Sequence, residues 1–193
     1  MFEKKIIVRN NNQEELLWEL KNKSPHIVGV DGETGVGKST KIAQCIRDRF
    51  GGIIVSVDNY LEKDKGEYID YINYRSLCQD LSTFAKQSEP LIIEGIMLLD
   101  ILEKVDINQD YLIYACRSMW LDDWTGEYGN YFNCGSLEEI IKQQESIVKI
   151  IDPKYRMGGG TKEIYEYTHR QKPFLRADAI WIFDVQSSVF NMK

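Results

Sequence analysis

The stretch VDGETGVGKST, residues 30–40, gathers the residue types that hold a polyphosphate. Gly32, Gly37, Lys38 and Ser39 stand in the register G-x-x-x-x-G-K-[ST], with Glu33, Thr34, Gly35 and Val36 between them and Thr40 after. Glycines let a loop point its N–H groups inward without side chains blocking the ligand. The first turn of a following helix adds unpaired amides and the positive end of its dipole. In such a loop Lys38 bridges β- and γ-phosphate oxygens, and the Ser39 hydroxyl is placed to ligate Mg²⁺. Residues 32–40 therefore predict a site for nucleotide phosphates and Mg²⁺, the plainer reading being a flexible loop. The rival glycine pattern, the dinucleotide fingerprint G-x-G-x-x-G, is out of register, since these glycines run G-x-x-G-x-G, and it has no use for the Lys–Ser pair.

Two carboxylates follow directly on apolar runs. Asp58 closes IIVSVD and Glu94 closes LIIE. In an open α/β sheet, ligands bind beyond the carboxyl ends of the strands, so both acids are expected on the same edge as Lys38 and Ser39. An acid aimed at an attacking hydroxyl, and another beside a metal that clamps phosphates, would supply what phosphoryl transfer asks for. Each has a plainer reading. Asp58–Asn59 is good turn chemistry, and Glu94 could be a strand-end acid facing water. A charge straight after a buried run is nevertheless costly without a partner.

The elements that must position these groups are legible as alternating short apolar runs and amphipathic stretches. NNQEELLWELKNK carries Leu16, Leu17 and Leu20 at helical spacing, and KSTKIAQCIRDRF places Ile42, Cys45, Ile46 and Phe50 on one helix face. Residues 74–86 read as a further helix. The pair Ser136 and Glu139 forms a capping box for LEEIIKQQESIVKII, which Asp152–Pro153 closes. Five strands are read: HIVGV, GGIIVSV, PLIIEG, DYLIYAC and ADAIWIF. Runs of Ile and Val without polar alternation suit a parallel sheet covered on both faces, and helices between strands imply βαβ crossovers. The expectation is one doubly wound α/β domain over residues 1–193, a P-loop NTPase with a mostly parallel five-stranded sheet and helices on both faces.

Composition narrows the partners. Hydrophobic residues make up 43% and charged residues 28%, ordinary for a globular chain. A net charge of −6, well mixed along the chain, argues against general nucleic-acid binding. No apolar run reaches the roughly 18 residues a membrane span needs, and the N-terminus lacks a signal-peptide core. The expectation is a cytoplasmic protein with a small-molecule partner, no nucleic acid and no membrane. Self-association stays open. Cys45, Cys78, Cys116 and Cys134 form no C-x-x-C pair, and with only His26 and His169 beside them a zinc site has little to build on.

Four segments, GETGVGKST, SVDNYL, LIIEGIMLLD and KPFLRADAIWIF, resemble in order and spacing the motifs of the uridine kinase and phosphoribulokinase group of P-loop kinases. They run from about residue 32 to 183. The first is common to P-loop proteins in general, the middle two are more particular to this group, and the last is weaker. The resemblance implies a nucleoside-kinase-like fold and ATP-dependent phosphorylation of a hydroxyl on a nucleoside or similar small metabolite. On that pattern Asp58 accepts the acceptor's proton and helps with the metal, Glu94 lies on the Mg²⁺ side, and Tyr60 lines the acceptor pocket. Ser39, Asp58 and Glu94 are then the metal set. Tyr68, Asp70 and Tyr74, in the segment after the base, join Asp58, Tyr60 and Glu94 as acceptor-site candidates, or else form a loop packed by its own tyrosines.

The chain departs from the group in one respect. The lid that usually follows the fourth strand with a cluster of arginines here reads CRSMWLDDWTGEYGNYF, with Arg117 alone among acids and aromatics. Residues 118–135 read as a rebuilt lid that stacks on a flat acceptor, an interface patch, or a packing loop. The missing cations are sought in residues 154–173, a second lid or acceptor-binding candidate, where Arg156 and Arg170 are the catalytic candidates beside Lys38 and Asp58, and Gly158–Gly160 a hinge. The rival reading is a P-loop ATPase, or a nucleotide-binding partner or regulatory protein without a small acceptor. GTPase signatures are not in place: the D-x-x-G at Asp123–Gly126 has no N-K-x-D to accompany it.

Overall fold

The computed structural model describes residues 5–9, 13–62, 68–117, 138, 142 and 159–183. Strand β1 (Ile6–Arg9) leads into α1 (Glu14–Lys23), followed by β2 (Ile27–Gly32). After the glycine-rich loop come wide π-type turns at Lys38–Ala43 that run on into α2 (Gln44–Phe50). Next are β3 (Ile53–Ser56), 3-10 turns at Val57–Tyr60 and Ile69–Tyr71, α3 (Tyr74–Phe84), β4 (Leu91–Glu94) and α4 (Leu98–Lys104). Strand β5 (Tyr111–Arg117), α5 (Gly159–Gln171), the single turn α6 (Pro173–Arg176) and β6 (Ala179–Phe183) complete the described chain.

The six strands form one sheet in the order β1-β6-β5-β2-β4-β3, and every pairing is parallel. The expected count of five is corrected to six. The additional strand, β1, sits at an edge beside β6, with Ile6 opposite Ala179. It has four residues that alternate buried and exposed and is flanked by lysines and asparagines, so it lacks the continuous apolar run by which the others are recognised. A short helix, α4, also went unread, because LLDILEK is nearly all buried and shows no amphipathic period.

Alternate residues of the central strands feed opposite faces. Ile113 and Ala115 of β5 pack with Val28, Val30 and Trp181 against Leu16 and Leu20 of α1 and Ile46 of α2. Their neighbours Leu112 and Tyr114 pack on the other side with Ile180, Ile182 and Tyr167 of α5. Leu91 and Ile93 of β4 join Leu77 and Leu81 of α3 and Ile101 of α4. Burying one such Leu or Ile side chain stabilises the fold by about 1.5–3 kcal/mol. The three leucines read at helical spacing, Leu16, Leu17 and Leu20, are the buried face of α1, whose first-turn Glu14 and Glu15 and last-turn Lys21 and Lys23 complement the helix dipole.

Among the described residues no helix is long and apolar enough to cross a membrane. The segment 118–135, Arg156 and Gly158 lie outside the described residues, as does the helix expected from the capping box apart from residues 138 and 142, which are helical. Gly159 and Gly160, read as part of a hinge, open α5.

Candidate functional site

Parallel pairing brings the carboxyl ends of all six strands to one edge of the sheet. In the central part the register sets Val30, Glu94 and Ser56 in one row. One step beyond that row, Asp31 and Gly32 lead into the glycine-rich loop, and Val57–Asp58 leads into a 3-10 turn. Gly95 follows Glu94, and its N–H donates to the Val30 carbonyl at 3.2 Å. The three segments singled out in the sequence thus converge by topology.

The loop itself is tightly turned. Gly32, Gly35 and Gly37 all have positive φ, at 134°, 72° and 82°. At Gly32 an added Cβ would meet the Ala115 carbonyl oxygen at 2.0 Å, so only glycine lets β2 pass so close to β5. Lys38 starts the helical run after the loop. Its Nζ turns back and donates to the carbonyls of Gly32 (3.0 Å) and Glu33 (2.7 Å), which spans the loop from end to start. Burial pushes its ammonium pKa down, and the nearby charges of Asp31, Glu94, Asp58 and Glu33 push it back up. The two acids expected at strand ends, Glu94 and Asp58, are thus among the charges that act on Lys38.

Ser39 and Glu94 touch. Ser39 Oγ donates to Glu94 Oε1 at 2.8 Å. Glu94 is 3% exposed, so its carboxylate is withdrawn from water and takes this hydroxyl as a partner. Asp58 is exposed at the rim and accepts the hydroxyl proton of Tyr68 at Oδ1, 2.5 Å away. Tyr68 is raised in pKa by burial first and then by this bond, and its oxygen also accepts from the Ile96 amide. Tyr68 therefore bridges the Asp58 turn and the β4–α4 connection.

The other acceptor-site candidates stand apart from this cluster. The Tyr60 hydroxyl donates to Asp80 on α3 at 2.7 Å, and burial followed by that bond pushes its pKa up to about 12. Tyr74 donates to the Ile69 carbonyl at 2.9 Å, and Lys104 Nζ lies 5.0 Å from its ring centre. Asp70 is exposed on its 3-10 turn. Arg170, a catalytic candidate, is held by Asp100 of α4: Nη1 and Nη2 donate to the two carboxylate oxygens at 2.9 and 2.6 Å. Thr34 and Thr40 are exposed and Val36 is buried.

Two residues that sequence reasoning did not single out stand at the heart of the site. Asp31, 1% exposed, accepts from the Gly32 amide (2.7 Å), the Leu98 amide (3.3 Å) and the hydroxyl of Tyr167. Burial pushes its carboxyl pKa up, against the lowering effect of those three donors and of Lys38. Tyr167 lies on α5 and its oxygen also accepts from the Leu99 amide at 3.3 Å. The signal for Asp31 was available: an acid at the end of the apolar run HIVGV needs a buried partner as much as Glu94 does. A small cavity between the loop and α5 is lined by Asp31, Glu33, Thr34, Ile96, Met97 and Tyr167 among others.

The side chains of Ser39 and Glu94 offer oxygen donors, the kind that hard cations take. Among the described residues no three His, Cys, Asp or Glu side chains are grouped to hold a metal by themselves. Mg²⁺ does not need such a cage, since it commonly keeps waters and is bound through few protein oxygens plus substrate phosphates. The adjacent oxygens of Ser39 and Glu94 fit that mode. Comparison with known proteins finds no family model and no curated protein that matches this sequence.

Proposed function

We propose that the chain is a P-loop phosphotransferase that moves the terminal phosphoryl group of ATP to a hydroxyl of a nucleoside or similar small metabolite. The observation that carries the reading is the convergence of Lys38, Ser39, Glu94 and Asp58 at one sheet edge, with Ser39 bonded to Glu94 and both acids in the field of Lys38. The loop amides and Lys38 would cradle the phosphates, and Lys38 would exchange its carbonyl partners for phosphate oxygens. Ser39 and Glu94 would hold Mg²⁺, which when bound neutralises phosphate charge. Asp58, exposed and fixed by Tyr68, would take the proton of the acceptor hydroxyl as that oxygen attacks. Positioning and charge neutralisation account for most of catalysis in such transfers.

A second reading is nucleotide binding or hydrolysis without a small acceptor, as in an ATPase or a regulatory partner. One observation favours it: the arginine of α5 is engaged by Asp100, away from the acids around Lys38. Acceptor-stimulated ADP release, screened over nucleosides, vitamins and sugar alcohols, separates the two. Stimulation by an acceptor supports the transferase. Turnover that no acceptor raises above the water background leaves the second reading.

A further inference from the structure

Helix α5 presents three polar groups on one face: Glu163, Tyr167 and Arg170, spaced i, i+4 and i+7. Each engages a different segment of the rim. Glu163 accepts the amides of Tyr68 (3.0 Å) and Ile69 (3.1 Å) with its two oxygens. Tyr68 is the residue whose hydroxyl fixes Asp58. One turn along the helix, Tyr167 donates to Asp31, which holds the Gly32 amide at the start of the loop that Lys38 spans. Arg170 completes the row on Asp100, six residues past Glu94. Apolar packing of Tyr167 with Ile69, Met97 and Leu99, and of Ile164 against the same cluster, seats the helix between these segments.

We propose that Glu163 and Tyr167 are positioning residues that hold the acid at Asp58 and the phosphate loop at Lys38 in one mutual geometry, so that the two halves of the site order together. The proposal rests on the transferase reading for its kinetic consequence, but the coupling itself is a property of the fold. Neither residue touches the reacting atoms. Glu163 acts through Tyr68, and Tyr167 acts through Asp31. One helix bonded to both segments makes the placement of one a condition for the placement of the other. Misplacement of an in-line pair by as little as an ångström can cost about a hundredfold in rate.

The test uses the full chain with Tyr167→Phe, Glu163→Ala and Glu163→Gln, read by backbone amide hydrogen exchange and by acceptor-stimulated ADP release. Tyr167→Phe removes only a hydroxyl, and Glu163→Gln keeps one acceptor oxygen, so both should fold. The expected result is crossed: Tyr167→Phe, which keeps the ring's packing, speeds exchange several-fold at the Tyr68 and Ile69 amides, to which its hydroxyl makes no bond, and Glu163→Ala does so at Gly32 and Leu98. In kinetics, kcat falls about tenfold or more with a smaller change in the KM for ATP, and Glu163→Gln recovers part of the loss of Glu163→Ala. Exchange changes confined to each residue's own partners, or crossed exchange with kcat unaltered, would overturn the proposal. A wild-type chain with no acceptor-stimulated release overturns the transferase reading alone, because the crossed exchange still decides the coupling.

Discussion

Ser39 Oγ lies 2.8 Å from Glu94 Oε1, although 55 residues separate them in the chain. The hydroxyl comes from the first turn after the glycine-rich loop, and the carboxylate from the last residue of β4, which pairs with β2. A serine and a glutamate placed so, beside a lysine folded back over the loop, are what a bound magnesium triphosphate would use. Glu94→Gln keeps the hydrogen bond from Ser39 but removes the charge. The expected outcome is a loss of Mg²⁺-dependent ATP affinity of about tenfold or more, with affinity for metal-free nucleotide little changed, read by titration calorimetry with and without Mg²⁺.

Gly32 tests the loop's backbone. A Cβ there meets the Ala115 carbonyl oxygen at 2.0 Å and the residue has φ of 134°. Gly32→Ala forces β2 and β5 apart or the loop out of shape, at a cost of about 1–3 kcal/mol or more. A fall in Tm together with lost nucleotide binding is expected. Gly51→Ala, where nothing lies within 4 Å, separates the effects, because its strain comes from its φ of 74° alone and leaves nucleotide binding intact.

Asp31 gives a pH test with a definite sign. Its carboxyl pKa is raised in the folded state, chiefly by burial. The native state therefore binds more protons than the unfolded chain in the window above 3.8, the ordinary value for an aspartate, and stability contributed by this group is lost as pH rises through that window. Asp31→Asn removes that titration. The difference in unfolding free energy, wild type minus Asp31→Asn, should decrease from pH 4 towards pH 7, as measured by urea denaturation at each pH; a difference that stays flat or increases contradicts the assignment.

Arg170 is expected to act on stability through its partner. It is bidentate to Asp100, which is nearly buried while the guanidinium is largely exposed. Arg170→Ala and Asp100→Asn should each destabilise the fold, and the double variant should cost clearly less than their sum, with a coupling of roughly 0.5–3 kcal/mol in a double-mutant cycle. Additive losses would contradict this pairing, and a collapse of phosphoryl transfer in Arg170→Ala at unchanged Tm would instead assign it to the reacting phosphate.

Much of this site was legible because topology does the gathering. Once HIVGV, IIVSV and LII are read as parallel strands, Lys38, Asp58 and Glu94 must share an edge, and that follows from run length and chain order alone. What stayed hidden depends on side-chain direction. Tyr60 sits beside the Asp58 turn yet reaches Asp80, and Arg170 lies in a basic stretch yet reaches Asp100. Strand β1, with alternating burial, lacks the apolar run that marks the strands of equal length, and the glycines and charges of α5 mask the period that carries Glu163 and Tyr167 to one face. The need of Asp31 for a buried partner is legible in its apolar run, but not that the partner is Tyr167, 136 residues away.

In the transferase reading a hydroxyl acceptor receives the phosphoryl group under the charge of Asp58. The most direct measurement compares wild type with Asp58→Asn in a metabolite mixture with ATP and Mg²⁺, following ADP release and identifying phosphorylated product by mass spectrometry. Acceptor-stimulated release is expected in the wild type, and in Asp58→Asn a fall of about 10²–10⁴-fold at nearly constant ATP affinity. Full transfer in Asp58→Asn, or a wild type whose turnover no acceptor raises, would contradict it.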